Sequence, residues 1–368
     1  MVQNRDAIVI TNPMIAANKS TEVTLGKFLR VLSSAFDKIQ VIGGNISINA
    51  DIENVTLHSY PIRRANSKYR RMLNVLVLQL KMVIAVLKNA TKGQPVFFWI
   101  GDKMILPFLA AKLKRCEINY FIYGNTAKEG NASVFAKLSS HLIRWMARNA
   151  DYACAESESV FGEWPGLTVH HKRIIHLYTE HIEMIPFEER TNTIGMLCRL
   201  TPGKHVIESV HAFYELHKAY PEWKMEIFGS GVQEEECKQL IEKLHAGNYI
   251  QMRGWIDHEK VVACTSHWKF LLFPTDTEGM PNSVIEMMGK GVPVIASPVG
   301  GINDIVTHGK NGYILREKTI SCIFQSIEMC ICNEENYVKL SEAAHQRICD
   351  CYSLSSAQDN ILNNCRNK

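Results

Sequence analysis

The strongest constraint in this 368-residue chain is a rhythm. Short apolar runs rich in Val, Ile and Phe alternate with longer segments of helical period, and the alternation begins again past the middle. The first half offers "AIVIT" (7–11), "IQVIGG" (39–44), "PVFFWI" (95–100) and "INYFIY" (118–123). The second offers "TIGML" (193–197), "KMEIF" (224–228), "YIQMRG" (249–254), "FLLF" (270–273) and "VPVIAS" (292–297). Between the later runs, Val206, Val210, Phe213 and His217 keep one helical face, as do Cys237, Leu240, Ile241 and Leu244. Strands alternating with helices predict parallel sheets with crossovers, hence doubly wound α/β layers. The length exceeds what one hydrophobic core serves, so two such domains are expected, residues 1–184 and 193–350. The polar stretch "IPFEERTNT" (185–193) marks the boundary, with 185–192 as the linker. Such sheets bind ligands beyond the carboxyl ends of their strands, and a cleft between the two domains is the expected active site.

Charge is divided unevenly along the chain. Residues 1–190 hold 24 basic and 16 acidic side chains, whereas 191–368 hold 17 and 21. A basic first half calls for an anionic partner, a membrane surface or a nucleic acid. The nucleic-acid reading is set aside, because aromatic and basic residues do not interleave on the strands. One stretch, "MLNVLVLQLKMVIAVL" (72–87), follows Arg63, Arg64, Lys68, Arg70 and Arg71. Asn74, Gln79 and Lys81 interrupt it, and it falls short of the roughly 20 residues of a membrane span. Two readings stay open: a core helix covering a parallel sheet, or a helix whose basic flank rests on anionic lipid. The eleven cysteines include no C-x-x-C pair, which suits reduced thiols. The opening "MVQNRDAIVITNP" turns into a strand rather than an apolar signal region, so a cytoplasmic location is expected.

Chemistry concentrates in "DTEGMPNSVIE" (276–286). It joins two buried strands, and Pro281 suits the first turn of a helix running to about Lys290. A helix start presents unpaired amides and partial positive charge, which suits a phosphate or a sugar hydroxyl. Glu278 precedes that start and Glu286 lies within the helix; alternatively, the first merely complements the helix dipole and the second is a solvated acid. In "IGMLCRLTPGKHV" (194–206), Arg199 follows a strand and Lys204 stands at the next helix. Two cations there could hold a diphosphate and neutralise it as it leaves. "EIFGSGVQEEE" (226–236) adds a strand, a Gly-Ser-Gly turn and a helix, but Glu234 replaces the third glycine of a dinucleotide fingerprint.

Taken in order, Arg199-x4-Lys204, "IFGSG", "QMRGW" (251–255), "FPTDTEGMPNSVIEMMGKGVPVIASPVGGINDIV" (273–306) and "GKNGYIL" (309–315) resemble glycosyltransferase family 4, of the GT-B fold. Its signature is the E-x7-E pair, here Glu278 and Glu286, and the likeness covers about 193–315. The resemblance implies two Rossmann-like domains facing a cleft, with a final helix over 351–368 crossing back to the first; Ser353 or Ser355 could cap that helix. It also implies a retaining transfer without metal or cofactor, from a UDP- or GDP-sugar to a glycan or lipid-linked glycan. Arg199 and Lys204 would grip the diphosphate, and Glu278 the donor sugar. The stretch Gly279, Met280, Pro281, Asn282, Ser283 and Val284 would meet sugar and β-phosphate through its backbone amides, Pro281 having no N–H to donate. Glu286 would hold the ribose, and Arg253, Gly254 and Trp255 would line the base pocket.

The first half departs from the family twice. The loop after its first strand carries Ala16 and Ala17 where many members have Gly-Gly, and Tyr123-Gly124 stands where many have His-Gly. A phenol titrates near 10, so Tyr123 is a poor base at neutral pH. An acceptor on an anionic membrane, as in surface polysaccharide or glycolipid assembly, fits the basic first half. Rival readings are a nucleotide-sugar epimerase on the same fold and a sugar-nucleotide binder without activity.

Overall fold

The computed structural model describes residues 5–12, 19–48, 51–63, 67–101, 103–125 and 134–366. The chain divides into one unit of residues 1–177 and 357–368 and another of residues 178–356.

The first unit begins with β1 (Asp6–Ile10), α1 (Lys19–Leu32), β2 (Lys38–Gly44), β3 (Val55–Tyr60), α2 (Lys68–Asn89) and β4 (Pro95–Phe98). It continues with α3 (Ile105–Leu113), β5 (Glu117–Phe121), α4 (Val134–Asn149), β6 (Tyr152–Ala155), α5 (Ser159–Gly162) and β7 (His171–Ile174). All seven strands pair in parallel, in the order β3-β2-β1-β4-β5-β6-β7. Ile8, Ile10, Val96, Phe98, Ile118 and Tyr120 of the central strands share a core with α2, α3 and α4.

The second unit contains β8 (Thr191–Leu197), α6 (Val206–His217), β9 (Lys224–Phe228), α7 (Glu234–Lys243), β10 (Ile250–Gly254), α8 (His258–Thr265) and β11 (Trp268–Phe273). Then come α9 (Asn282–Gly289), β12 (Val294–Ala296), α10 (Ile302–Ile305), β13 (Gly312–Ile314), α11 (Ile320–Cys332) and α12 (Tyr337–Tyr352); α13 (Leu354–Arg366) follows and from Ala357 belongs to the first unit. The sheet runs β10-β9-β8-β11-β12-β13, again all parallel. Both sheets therefore reverse direction once, between β1 and β4 and between β8 and β11. Those are the switch points where doubly wound sheets open a crevice for ligands.

The boundaries differ from the sequence expectation for identifiable reasons. Residues 178–185 pack within the second unit: the Thr179 amide donates to the Tyr352 carbonyl at 2.9 Å and the Ile185 amide to that of Lys290 at 3.2 Å. Nor is 185–192 a loose linker. Its Arg190 is buried and donates to the carbonyls of Ile185, Ser266, Trp268 and Lys290. One guanidinium thereby satisfies four acceptors that would otherwise be stranded away from water. The closing helix begins at Leu354, where the Ser353 hydroxyl accepts the Ser356 amide, and it rejoins the first unit from Ala357. There the Asn364 side chain donates to the Ile174 carbonyl at 2.9 Å.

The stretch 72–87 is a helix, but only one side of it is core. Leu78, Met82, Ala85 and Val86 are buried on the sheet, whereas Leu73, Leu76, Leu80 and Ile84 face outward.

A polar row crosses one face of the second sheet. Gly195 of β8 lies opposite Glu226 of β9, and a methyl group on Gly195 would collide with the Trp268 ring. The missing side chain lets the indole of β11 cross β8 and donate its Nε1–H to Glu226 at 2.8 Å. Arg253 of β10 reaches the same carboxylate from the other side at 2.6 and 3.0 Å. Burial alone would raise the Glu226 pKa, but hydrogen bonds from His267, Trp268 and Arg253, with the Arg253 charge, bring it down to about 2. A carboxyl depressed in the folded state contributes stability above its unfolded pKa and loses it as the pH falls toward the folded value. Glu226 therefore contributes on the order of 2 kcal/mol at neutral pH, fading between about pH 4.5 and 2. Glu226→Gln should lower the neutral-pH melting temperature and flatten its fall with acid in this window; parallel melting curves for both proteins would refute this.

Candidate functional site

At the switch point of the second sheet, two loops leave adjacent strands at the same edge. The first follows β8: Cys198 and Arg199, then a short 3-10 turn over Pro202–Lys204 and His205 as the N-cap of α6. The second follows β11 and runs from Pro274 to the start of α9.

Two glycines hold the first loop in place. A side chain on Gly229 would strike the Cys198 carbonyl, and one on Gly231 the Leu200 backbone. The bare "FGSG" turn thus lies flush against the loop, and the Leu200 amide donates to the Ser230 carbonyl at 3.0 Å. Gly229 has φ 138°, a conformation that only glycine adopts freely. Arg199 is left exposed, with no side-chain hydrogen bond or ion pair among the described residues. Burial pushes the thiol of the neighbouring Cys198 up to about 12, which disfavours a thiolate there.

A second glycine pair shapes the other loop. Gly300 has φ 49°, and a methyl group there would overlap the Glu278 carbonyl. The Gly301 amide donates to the Gly279 carbonyl at 2.6 Å, and Met280 is buried beneath. The two backbones are in direct contact over Glu278 and Gly279.

These supports bring Lys204 and Glu278 together. Lys204 Nζ forms an ion pair with Glu278 Oε1, donates to Thr275 Oγ1 at 2.9 Å and sits 5.3 Å from the Phe273 ring centre. Both side chains of the pair are largely shielded from water. Beside them, the Asp276 amide donates to the Gly203 carbonyl at 3.0 Å, tying the loops at the backbone. The Asp276 carboxylate meets His205 Nε2 at 2.8 Å and Lys318 Nζ at 3.3 Å. Partial burial would raise that carboxyl, but His205 and Lys318 together hold it below its ordinary value.

α9 begins one residue later than the sequence suggests, with Pro281 as N-cap and Asn282 as first residue. No side chain caps it, so Asn282, Ser283 and Val284 form a helix start without an internal anion. Glu286 is only 2% exposed, which rules out the solvated acid of the alternative reading. Glu278 is engaged by a lysine rather than acting on the helix dipole alone.

The remaining candidates are dispersed. Gly254 has φ 72°, and Trp255 just beyond β10 is 61% exposed. Arg253 is already held by Glu226. In the first unit, the Tyr123 hydroxyl accepts the Ile100 amide at 3.3 Å, next to the β1–β4 switch point, and the Tyr123 carbonyl accepts the Trp164 indole at 2.7 Å. Ala16 and Ala17 lie outside the described residues.

Sequence reasoning overlooked Thr275, His205, Lys318 and the glycines 300 and 301 as parts of this site. The glycine pair was visible as "VGGIND", but only the contact with Glu278 reveals its purpose. Gly300→Ala combines a left-handed backbone with a backbone collision, and should lower the unfolding free energy by about 2 kcal/mol. Thermal or urea unfolding of the variant checks this; an unchanged midpoint would show that the loops part easily.

Residues 178–347 match the family described as glycosyl transferases group 1. An uncharacterized glycosyltransferase of Haemophilus influenzae is 31% identical over 130 residues, covering 34% of this chain and 36% of that protein. The poly(glycerol-phosphate) alpha-glucosyltransferase of Bacillus subtilis is 31% identical over 157 residues, 40% of this chain and 22% of that protein. The chain thus matches only about a third or less of these relatives' length. The crystal structure of Anabaena HepE with UDP and glucose shares the fold at a TM-score of 0.77 and 14% identity, over 98% of this chain and 99% of that one. Two parallel α/β units in this arrangement of strands are the GT-B fold.

Proposed function

We propose that the chain, whose residues 178–347 match the group 1 glycosyl transferases, moves a sugar from a UDP- or GDP-sugar to a carbohydrate or lipid-linked acceptor. The transfer retains the anomeric configuration and uses no metal ion or other cofactor. The observation that carries this reading is the meeting of Lys204 and Glu278 at the switch point, beside exposed Arg199 and the uncapped start of α9.

Each group has a task in that reading. The donor diphosphate binds Arg199 and draws Lys204 from its carboxylate partner, so the two cations face the two phosphates. The first-turn amides of α9 add partial positive charge at the β-phosphate. Glu278, released from Lys204, accepts hydrogen bonds from the sugar hydroxyls. Glu286 takes the ribose hydroxyls, and the exposed Trp255 offers the base a stacking surface.

The chemical step breaks the bond between the anomeric carbon and the β-phosphate oxygen, and the electron pair stays on that oxygen. The acceptor oxygen attacks the same face, and its proton passes to the departing phosphate. Stabilising the leaving diphosphate by Arg199 and Lys204 is the main catalytic contribution, of a kind worth about 10²–10³ in rate for one preorganised donor. Support comes from the acids as well. Asp276 is paired with His205 and Lys318, and Glu278 passes from Lys204 to the sugar hydroxyls, so in this reading each acid is occupied by a hydrogen-bonding partner rather than by a cation.

UDP-glucose is the first donor to test, because the HepE neighbour holds UDP and glucose. The true donor should raise the melting temperature by mass action. Lys204→Ala and Glu278→Ala should each cut transfer at least about a hundredfold while circular dichroism stays native. Near-normal turnover in either variant would remove the site assignment. Transfer should survive EDTA and give product with the donor's anomeric configuration. Isomerised sugar without free nucleotide would establish an epimerase instead.

A further inference from the structure

The outward side of α2 is apolar in a pattern that its own fold does not use. Tyr69, Leu73, Leu76, Leu80, Ile84 and Leu87 recur at intervals of three and four along the helix, so they share one stripe, and all are exposed. At about 100° per residue this stripe lies opposite Leu78, Met82 and Val86, which are buried in the core. Ile84 is 65% exposed. The neighbouring α3 packs along α2, with its Leu106 amide donating to Gln79 Oε1 at 3.0 Å, and it adds Leu109 and Leu113, the latter 77% exposed. A contiguous apolar surface of this kind on one chain marks a docking site.

Charge identifies what docks. Arg70, Lys81 and Lys88 fall on one edge of the stripe, exposed, and Lys112 of α3 is exposed beside Leu113. Neither α2, α3 nor α4 contains an acid. A second copy of this chain would bring the same cations face to face, which disfavours a homotypic contact. Among the described residues of these helices the border of the apolar stripe is cationic, complementary to a negatively charged lipid headgroup layer above an acyl interior. At 22 residues α2 is longer than the apolar stretch 72–87 and, contrary to the sequence expectation, has the length and composition of a membrane span, but its inner face is part of the hydrophobic core of the first unit. It can therefore lie on a bilayer but cannot cross one without unfolding that unit.

We propose that the outer face of α2, extended by Leu109 and Leu113 of α3, seats the first unit on an anionic bilayer, with α2 in the plane of the interface. The apolar stripe enters the headgroup boundary, and Arg70, Lys81, Lys88 and Lys112 meet lipid phosphates. This inference is independent of the donor chemistry assigned to the second unit.

Flotation of the full chain with vesicles tests it. The protein should float with phosphatidylglycerol-containing vesicles and at least about tenfold less with pure phosphatidylcholine. Leu76→Glu/Leu80→Glu/Ile84→Glu should abolish flotation, and Arg70→Glu/Lys81→Glu/Lys88→Glu should reduce it at least about tenfold. All six positions are exposed, so melting temperatures should stay near that of the parent; if the triple apolar variant misfolds, Leu80→Gln alone should still weaken binding measurably. Equal flotation of parent and variants, or equal binding to both vesicle types, would overturn the proposal. So would sedimentation velocity showing a parent dimer that the apolar variant converts to monomer, since a second copy would then be the occupant.

Discussion

The candidate site depends on one topological fact: β8 and β11 are neighbours in the sheet although a long crossover passage separates them in the chain. Parallel pairing points both carboxyl ends the same way, so the loop with Arg199 and Lys204 and the loop with Asp276 and Glu278 must leave the sheet side by side. Lys204 and Glu278 are 74 residues apart in sequence, yet they share an ion pair. Around that adjacency, four glycines remove the side chains that would keep the loops from their supports: Gly229 and Gly231 under the first loop, Gly300 and Gly301 under the second.

Three acids of the second unit show how context separates roles that composition makes equal. Glu226 is enclosed by Trp268, Arg253 and His267 and serves the sheet. Asp276 joins three loops through His205, the Gly203 carbonyl beside its amide, and Lys318. Glu278 pairs with Lys204 at the loop edge, largely shielded from water, and an exchange of partners there costs less than desolvating a fresh charge. The same logic explains the contrast between Arg199, exposed and unengaged among the described residues, and Arg253, already satisfied.

Much of this was legible in the sequence where strands are apolar on both faces. All nine runs named from Val, Ile and Phe content correspond to strands within a few residues. The overlooked strands are those whose composition hides them: β7 reads "HKRI", β3 is a half-exposed edge, and β6 and β13 are very short. The segment 185–192 reads as a linker because its polarity is counted by residue, whereas Arg190 is buried by the carbonyls it serves. The helical character of 72–87 was readable, but its two-sidedness depends on which neighbours exist in space. Motif spacing located both glutamates of the E-x7-E pair and Lys204; that Lys204 holds Glu278 could be found only through the sheet order.

The contact between Gly300–Gly301 and Glu278–Gly279 makes the two loops a single inherited cassette. Neither backbone can be lengthened, shortened or exchanged alone, because each forms the floor on which the other rests. Anyone transplanting the residues around Met280 would have to carry "SPVGGIND" along with them. Recombination breakpoints between residues 281 and 299 would separate the halves of one surface.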